Sequence, residues 1–279
     1  MPFFRSLFGA KRTETSSQKI DVSKYAESDI ITRDVGVIGG GAAGTFAAIQ
    51  LQQHTKSVVV VEKESRLGGQ TMTYIDPESG TPVDSASPGA EDRTRLIRAK
   101  RVIFAVPPLP ATLKDVDLSD EEKRLFSQFR HTYCYTAIVR TEDLPTDMCY
   151  LNRGVGFQHL RLPCVLTVRP SPVDNLRTLH IGSSTPLSDE DIRREIVSSF
   201  RSCQLGDPKV LALGNHSPYH LTVSAETIAS GFYRELNALQ GTRRSFYVGA
   251  AFESHNSPPI WALVNQLLRN DILPSLKKG

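Results

Sequence analysis

The stretch that most constrains the fold is "DVGVIGGGAAGTFAAIQLQQ" (residues 34–53): a short apolar run, a glycine cluster, then an Ala-rich stretch with helical texture. "SVVVVEK" follows, a continuous β-branched run of the kind seen in parallel strands buried on both faces. Strand, turn, helix and strand in about thirty residues is the size of a βαβ unit. Gly39, Gly41 and Gly44 fit G-x-G-x-x-G across the turn, with Ala43 at the head of the helix. The first glycine permits a tight turn, the second lets backbone approach a pyrophosphate, and the third lets the helix lie close to the strand. Helix N–H groups and the helix dipole then favour phosphate. Glu62 ends the second strand, where a carboxylate accepts hydrogen bonds from ribose hydroxyls and disfavours a 2′-phosphate.

The remaining bounds are permissive. A chain of 279 residues holds one large domain or two modest ones. Its 33 basic and 30 acidic side chains are scattered and give a net charge of +3, so electrostatics make no case for nucleic acid. No apolar run approaches the ~20 residues of a membrane span. The four cysteines (Cys134, Cys149, Cys164, Cys203) form no C-x-x-C pair, which points to reduced, buried thiols rather than a metal or redox site. Residues 1–33 read as a polar, disordered leader without the apolar core of a secretory signal, so a cytoplasmic location is expected.

Further along, "AKRVIFAVPP" reads as a buried strand ended by prolines. Ser119 with Glu122, and Ser188 with Asp191, open two helices as capping boxes. Residues 129–182 alternate as antiparallel strands, and Ser224 starts a helix that runs to a glycine stop near Gly241. "RSFYVGAAF" is a late strand and "PPIWALVNQLLRN" a closing helix.

"EKESRLGGQ" places Arg66, Gly68 and Gly69 just past Glu62. With "VIGGGAAGTFAAIQLQ", "LIRAKRVIFAVPP", "VSAETIASGFYRELNALQG" and "YVGAAFESHNSPPIW", this resembles the flavin-containing amine oxidase superfamily, most closely a fungal branch of FAD-dependent oxidoreductases. The resemblance runs from Asp34 to Asp84 and from about Arg95 to Ile260. It implies FAD as cofactor, an R-x-G-G segment beside the phosphates and ribityl chain, a return to the cofactor at Gly249, and a closing helix aimed at the flavin ring. Relatives commonly carry an acid after that glycine, where this chain has Ala250, and often open the helix with glycines, where it has Pro258 and Pro259. Proline has no N–H, so Ile260 and Trp261 would have to supply the donors.

The resemblance also implies about a hundred residues between "TPVD" and "LIRAK", carrying much of a substrate domain. Eight polar residues, Ser85 to Asp92, stand there. The expected architecture is therefore α/β: a Rossmann-like FAD-binding domain (34–118, returning at 241–279) with a reduced α+β substrate domain (119–240). The expected function is oxidation of a small organic substrate by hydride transfer to flavin, in a fungal secondary-metabolite pathway. The alternative is a shortened, catalytically impaired paralogue or splice product that at most binds flavin or a partner. An NAD-binding reductase is disfavoured by Arg66, Gly68 and Gly69.

No catalytic residue, metal ligand, flavin attachment point or oligomeric state is assigned. Tyr133 and Tyr135 share a strand face and read mainly as cross-strand aromatics. His131, His159, His216 and His220 lack metal-like spacing; His255 precedes the closing helix, and Trp261 reads as a core anchor.

Overall fold

The computed structural model describes residues 3–4, 20–70, 73–83, 95–145, 147–153 and 159–277. The chain weaves between two compact units. It begins with β1 (Phe3–Phe4), β2 (Ile30–Ile38), α1 (Ala42–Gln53) and β3 (Val58–Val61), then a small hairpin, β4 (Tyr74–Ile75) and β5 (Pro82–Val83). Next come β6 (Leu96–Phe104), α2 (Asp120–Phe126), β7 (Arg130–Arg140), β8 (Tyr150–Leu151), β9 (Cys164–Pro170) and β10 (Leu176–Ser183). The rest is α3 (Asp189–Ser202), β11 (Lys209–Asn215), β12 (Tyr219–Thr222), α4 (Ala225–Ala229), α5 (Phe232–Ala238), β13 (Ser245–Tyr247), α6 (Ser257–Leu267) and α7 (Leu273–Lys277). Among the described residues no helix is long and apolar enough to cross a membrane.

The first unit holds the described residues within Met1–Gly69, Pro88–Arg130 and Leu221–Gly279. Its parallel strands run β3, β2, β6, β13, with β1 antiparallel beside the start of β6. The chain leaves β2 through α1 to β3 on one side, while β6 lies on the other. That divergence makes the carboxyl ends of these strands a topological switch point. Small residues on α1 (Ala43, Gly44, Ala47, Ala48) are buried, so the helix sits close to the sheet, with α6 packed beside it.

Four features depart from the sequence reading. β2 starts at Ile30 rather than Asp34, because Ile30–Arg33 pair with Leu96–Ala99 of β6; residues 30–33 thus belong to the sheet, not to a disordered leader. The valines of β3 are half-buried rather than buried on both faces, because β3 is the sheet edge. The helix from Ser224 is broken into α4 and α5 at Gly231, whose φ of 96° is left-handed. The closing helix continues past Asn270 through a π-helical turn, Leu268–Ile272, into α7.

The second unit holds the described residues within Gln70–Ser87 and His131–His220. Its antiparallel sheet runs β11, β7, β10, β9, β8, with β12 also on β7. α3 covers one face, burying Ile192, Ile196 and Phe200 against Tyr135, Ala137, Val139, Leu179 and Ile181. On the opposite face, Tyr74 packs near Ile138 and Leu176, and Arg140 pairs with Asp76 (3.5 Å) and Glu78 (2.9 Å). The units divide at 130/131 and 220/221, inside the expected 119 and 240. α2 and α5 fall in the first unit because Leu125, Phe126, Phe232 and Leu236 share one core with Phe104 and Tyr247.

Candidate functional site

The strand ends of the first unit are stitched level. The Gly39 N–H donates to the Val61 carbonyl (2.8 Å), Ala105 to Ile38 (2.8 Å) and Val248 to Phe104 (2.9 Å). Glu62, Gly39, Ala105 and Gly249 therefore line one edge of the sheet. Gly39 has φ of 99°, and a Cβ there would meet Val106 Cγ1 at 2.7 Å. A Cβ on Gly44 would stand 1.9 Å from the Gly39 carbonyl oxygen, so the helix can approach the turn only with glycine there. Gly41 is different: its Cβ would meet only Gly69 Cα, at 4.0 Å, leaving a cradle that a side chain would fill. The first N–H groups of α1, at Ala42, Ala43 and Gly44, have no carbonyl a turn earlier to receive them.

The Arg66–Gly69 segment closes over this turn. Gly68 N–H donates to the Gly40 carbonyl (2.7 Å), and Gly69 fits against Gly41, where a Cβ would come within 2.8 Å of Gly41 Cα. Arg66 Nη2 donates to the Gly69 carbonyl at 3.1 Å. Glu62 binds the same turn: Oε2 accepts from the Gly40 N–H (2.5 Å), and Oε1 accepts from Lys63 and Glu64 N–H (2.8 and 3.0 Å). A carboxylate offers about four acceptor positions, so among the described residues one remains for a ligand hydroxyl. Leu67, which the sequence reading passed over, lies against Gly40 and is half exposed. The arrangement suits a phosphate at the helix start and a hydroxylated sugar at Glu62.

At the far side of the edge, Gly249 has φ of 111°, and a Cβ there would meet nothing within 4 Å. β13 is held by a buried polar knot: Tyr247 O–H donates to Glu122 Oε1, while Oε2 accepts from Ser119 N–H and Oγ (2.6 and 2.8 Å) and Arg243 (3.2 Å). Burial raises the Tyr247 hydroxyl, and the neighbouring Glu122 adds to it. Burial would raise the Glu122 carboxyl too, but hydrogen bonds from Tyr247 and Ser119, with Arg243 nearby, outweigh it and hold the group below its ordinary range.

Other expected residues lie elsewhere. Ile260 is buried in the core against α1, and its N–H donates to Asn256 (3.4 Å) instead of facing outward. Trp261 is no core anchor: it is 39% exposed and stacks on Phe46 at 5.2 Å. Tyr135 is buried beneath α3 and its hydroxyl accepts from Leu187 N–H (2.8 Å), while Tyr133 meets His131 edge-on. Cys134 and Cys164 are buried as expected, but Cys149 and Cys203 are exposed. His255 is half-buried in the loop before α6; His159 and His220 are exposed.

Residues 37–90 match a family profile described as an NAD(P)-binding Rossmann-like domain. The chain is 31% identical over 259 residues to the FAD-dependent oxidoreductase pigF of Monascus ruber, covering 88% of this chain and 53% of that protein. It is 30% identical over 201 residues to the FAD-dependent oxidoreductase oblC of Cochliobolus heterostrophus, covering 67% and 41%. The chain thus spans about half the length of the curated relatives it matches, which accords with the short join after Asp84. Among solved structures, a fatty acid isomerase from P. acnes aligns with TM-score 0.69 at 12% identity over 86% of this chain and 99% of that one. Wild-type putrescine oxidase aligns with TM-score 0.58 at 11% identity over 88% and 100%. These two likenesses are of fold. The chain is thus similar in sequence to fungal FAD-dependent oxidoreductases, about half of whose length it spans, and similar in fold to the fatty acid isomerase and to putrescine oxidase.

Proposed function

We propose that the protein is an FAD-dependent oxidoreductase that oxidises a small organic substrate, working in the cytoplasm and serving secondary metabolism. The observation that carries the reading is the glycine turn, with its open cradle at Gly41, and its two companions: the close-packed Gly68–Gly69 segment, and Glu62, which among the described residues keeps one acceptor position to spare. Gly39, Gly41, Ala43 and Gly44 would receive the pyrophosphate, Glu62 the adenosine ribose, and Arg66, Gly68 and Gly69 the neighbouring phosphate and ribityl region. Gly249 would give backbone room at the other end of the strand edge. Ile260 would serve by packing α6 against α1, since its N–H is already turned to Asn256. When bound, flavin supplies the hydride-accepting chemistry. The protein's part is to fix the cofactor and to keep the turn dry and unstrained. The residues within Gln70–Ser87 and His131–His220 would form the substrate-binding unit.

The test is direct. Protein purified with added FAD is expected to carry the two visible absorption bands of an oxidised flavin, bleached anaerobically by an oxidisable substrate. A colourless protein that takes up no FAD would sink the reading. Flavin that never bleaches would favour a shortened, catalytically impaired paralogue.

A further inference from the structure

The second unit carries a polar row that the dinucleotide site does not use. Thr136 on β7 stands opposite His180 on β10, and His180 opposite Thr167 on β9. Tyr135, Ala137, Leu179 and Ile181 face α3, so Thr136 and His180, alternating with them, face the other way. His180 Nδ1 is 2.9 Å from Thr167 Oγ1. At the other end, His216 folds back from the end of β11 and sets Nε2 2.9 Å from Thr136 Oγ1. Glycine at 214 makes that fold possible, because a Cβ there would meet Thr136 Oγ1 at 2.7 Å and His216 Nε2 at 3.3 Å. Gln70 Nε2 donates to the His216 carbonyl at 2.6 Å and fixes the backbone that presents the ring.

All four side chains are half-buried. Burial lowers both imidazoles, and Arg169 and His216 lower His180 further, which favours the neutral form of each ring. Each ring spends one nitrogen on a threonine; among the described residues the second nitrogen of each has no protein partner. A neutral ring donates at one nitrogen and accepts at the other, and which is which depends on the tautomer. A ligand group that answers either tautomer is a hydroxyl, which both donates and accepts. Apolar side chains lie on both sides of the row along the strands: Ile138, Leu176 and Leu211 on one side, and Leu162 and Leu166, beside Gly182, on the other.

From these positions we infer that His180 and His216, oriented by Thr167 and Thr136, recognise a small molecule with phenolic or enolic hydroxyl groups on an apolar body. Taking that molecule as the substrate rests on the oxidoreductase reading; the binding itself does not.

The experiment uses the full chain with catechol as probe and 1,2-dimethoxybenzene, which has lost both O–H groups, as control. Catechol is expected to move the side-chain ¹⁵N signals of His180 and His216 saturably and to bind about tenfold more tightly than the control. His180→Phe and His216→Phe are each expected to lose about the same factor with flavin content unchanged. If either variant fails to fold, the signals of the unmodified protein decide. Unmoved histidine signals, or equal binding of catechol and its dimethyl ether, would overturn the inference. A flavin-free protein that still binds catechol supports this site and counts against the oxidoreductase reading. A flavin-loaded protein indifferent to catechol removes this inference alone.

Discussion

Gly44 and Gly41 sit three residues apart on one turn and make opposite demands. Gly44 is needed by the fold: in Gly44→Ala the new Cβ would lie 1.9 Å from a carbonyl oxygen that cannot yield without moving β2 from α1. A loss of about 2–3 kcal/mol in stability is expected, read from denaturant midpoints. Gly41 has φ of −69° and an open neighbourhood, so Gly41→Ala should fold within about 0.5 kcal/mol of the parent. Its methyl group would fill the cradle, and flavin content should fall sharply. If Gly41→Ala loads FAD normally, the phosphate is not where the helix start suggests. The cysteines divide by surroundings rather than by sequence. Burial pushes the Cys134 thiol up to about 11 and also raises Cys164, whereas Cys149 and Cys203 are exposed. A thiol reagent at neutral pH should label Cys149 and Cys203 quickly and reach Cys134 and Cys164 only on unfolding; fast labelling of Cys134 would contradict its burial.

Elements whose causes are local could be read from sequence, and those whose causes are not local could not. Ser119 with Glu122 and Ser188 with Asp191 form capping boxes, because each needs only residues three apart. The glycine turn was legible for the same reason. Gly231 was not, since a glycine in a helical pattern is often tolerated and only its φ of 96° separates α4 from α5. The half-exposure of β3 depends on which strand lies beside it, and the row of His216, Thr136, His180 and Thr167 exists only once β7, β9, β10 and β11 are in register. Glu122 shows a residue with both kinds of role: a cap by sequence, and by structure the acceptor that ties α2 to β13. Tyr247→Phe removes one donor from that buried carboxylate and should cost about 1–3 kcal/mol. Chemical denaturation would check it; an unchanged midpoint would mean that Ser119 and Arg243 suffice.

At the scale of the whole molecule, the sheet is clamped midway along β2 and β6, where β3 joins it. Asp34 on β2 accepts from Ser57 N–H (3.0 Å) and Oγ (2.8 Å) just before β3, and pairs with Lys100 on β6 (2.9 Å). One carboxylate thereby joins three neighbouring strands. Ser57 N–H contributes most, then Lys100 and the Ser57 hydroxyl, and together they hold the Asp34 carboxyl down to about 2 from its ordinary 3.8. A depressed folded-state value means stability that is fully present above the unfolded value and is lost as pH falls through the folded one. Glu122, also held below its ordinary range, acts with the same sign. Denaturant midpoints should therefore stay level above about pH 5 and fall between about pH 4 and pH 2. Asp34→Asn should lower the neutral-pH stability by about 1 kcal/mol, less than the full shift implies because Lys100 is partly open to solvent, and should flatten the acid slope. Parallel acid slopes for the variant and the parent would show that the clamp lies elsewhere.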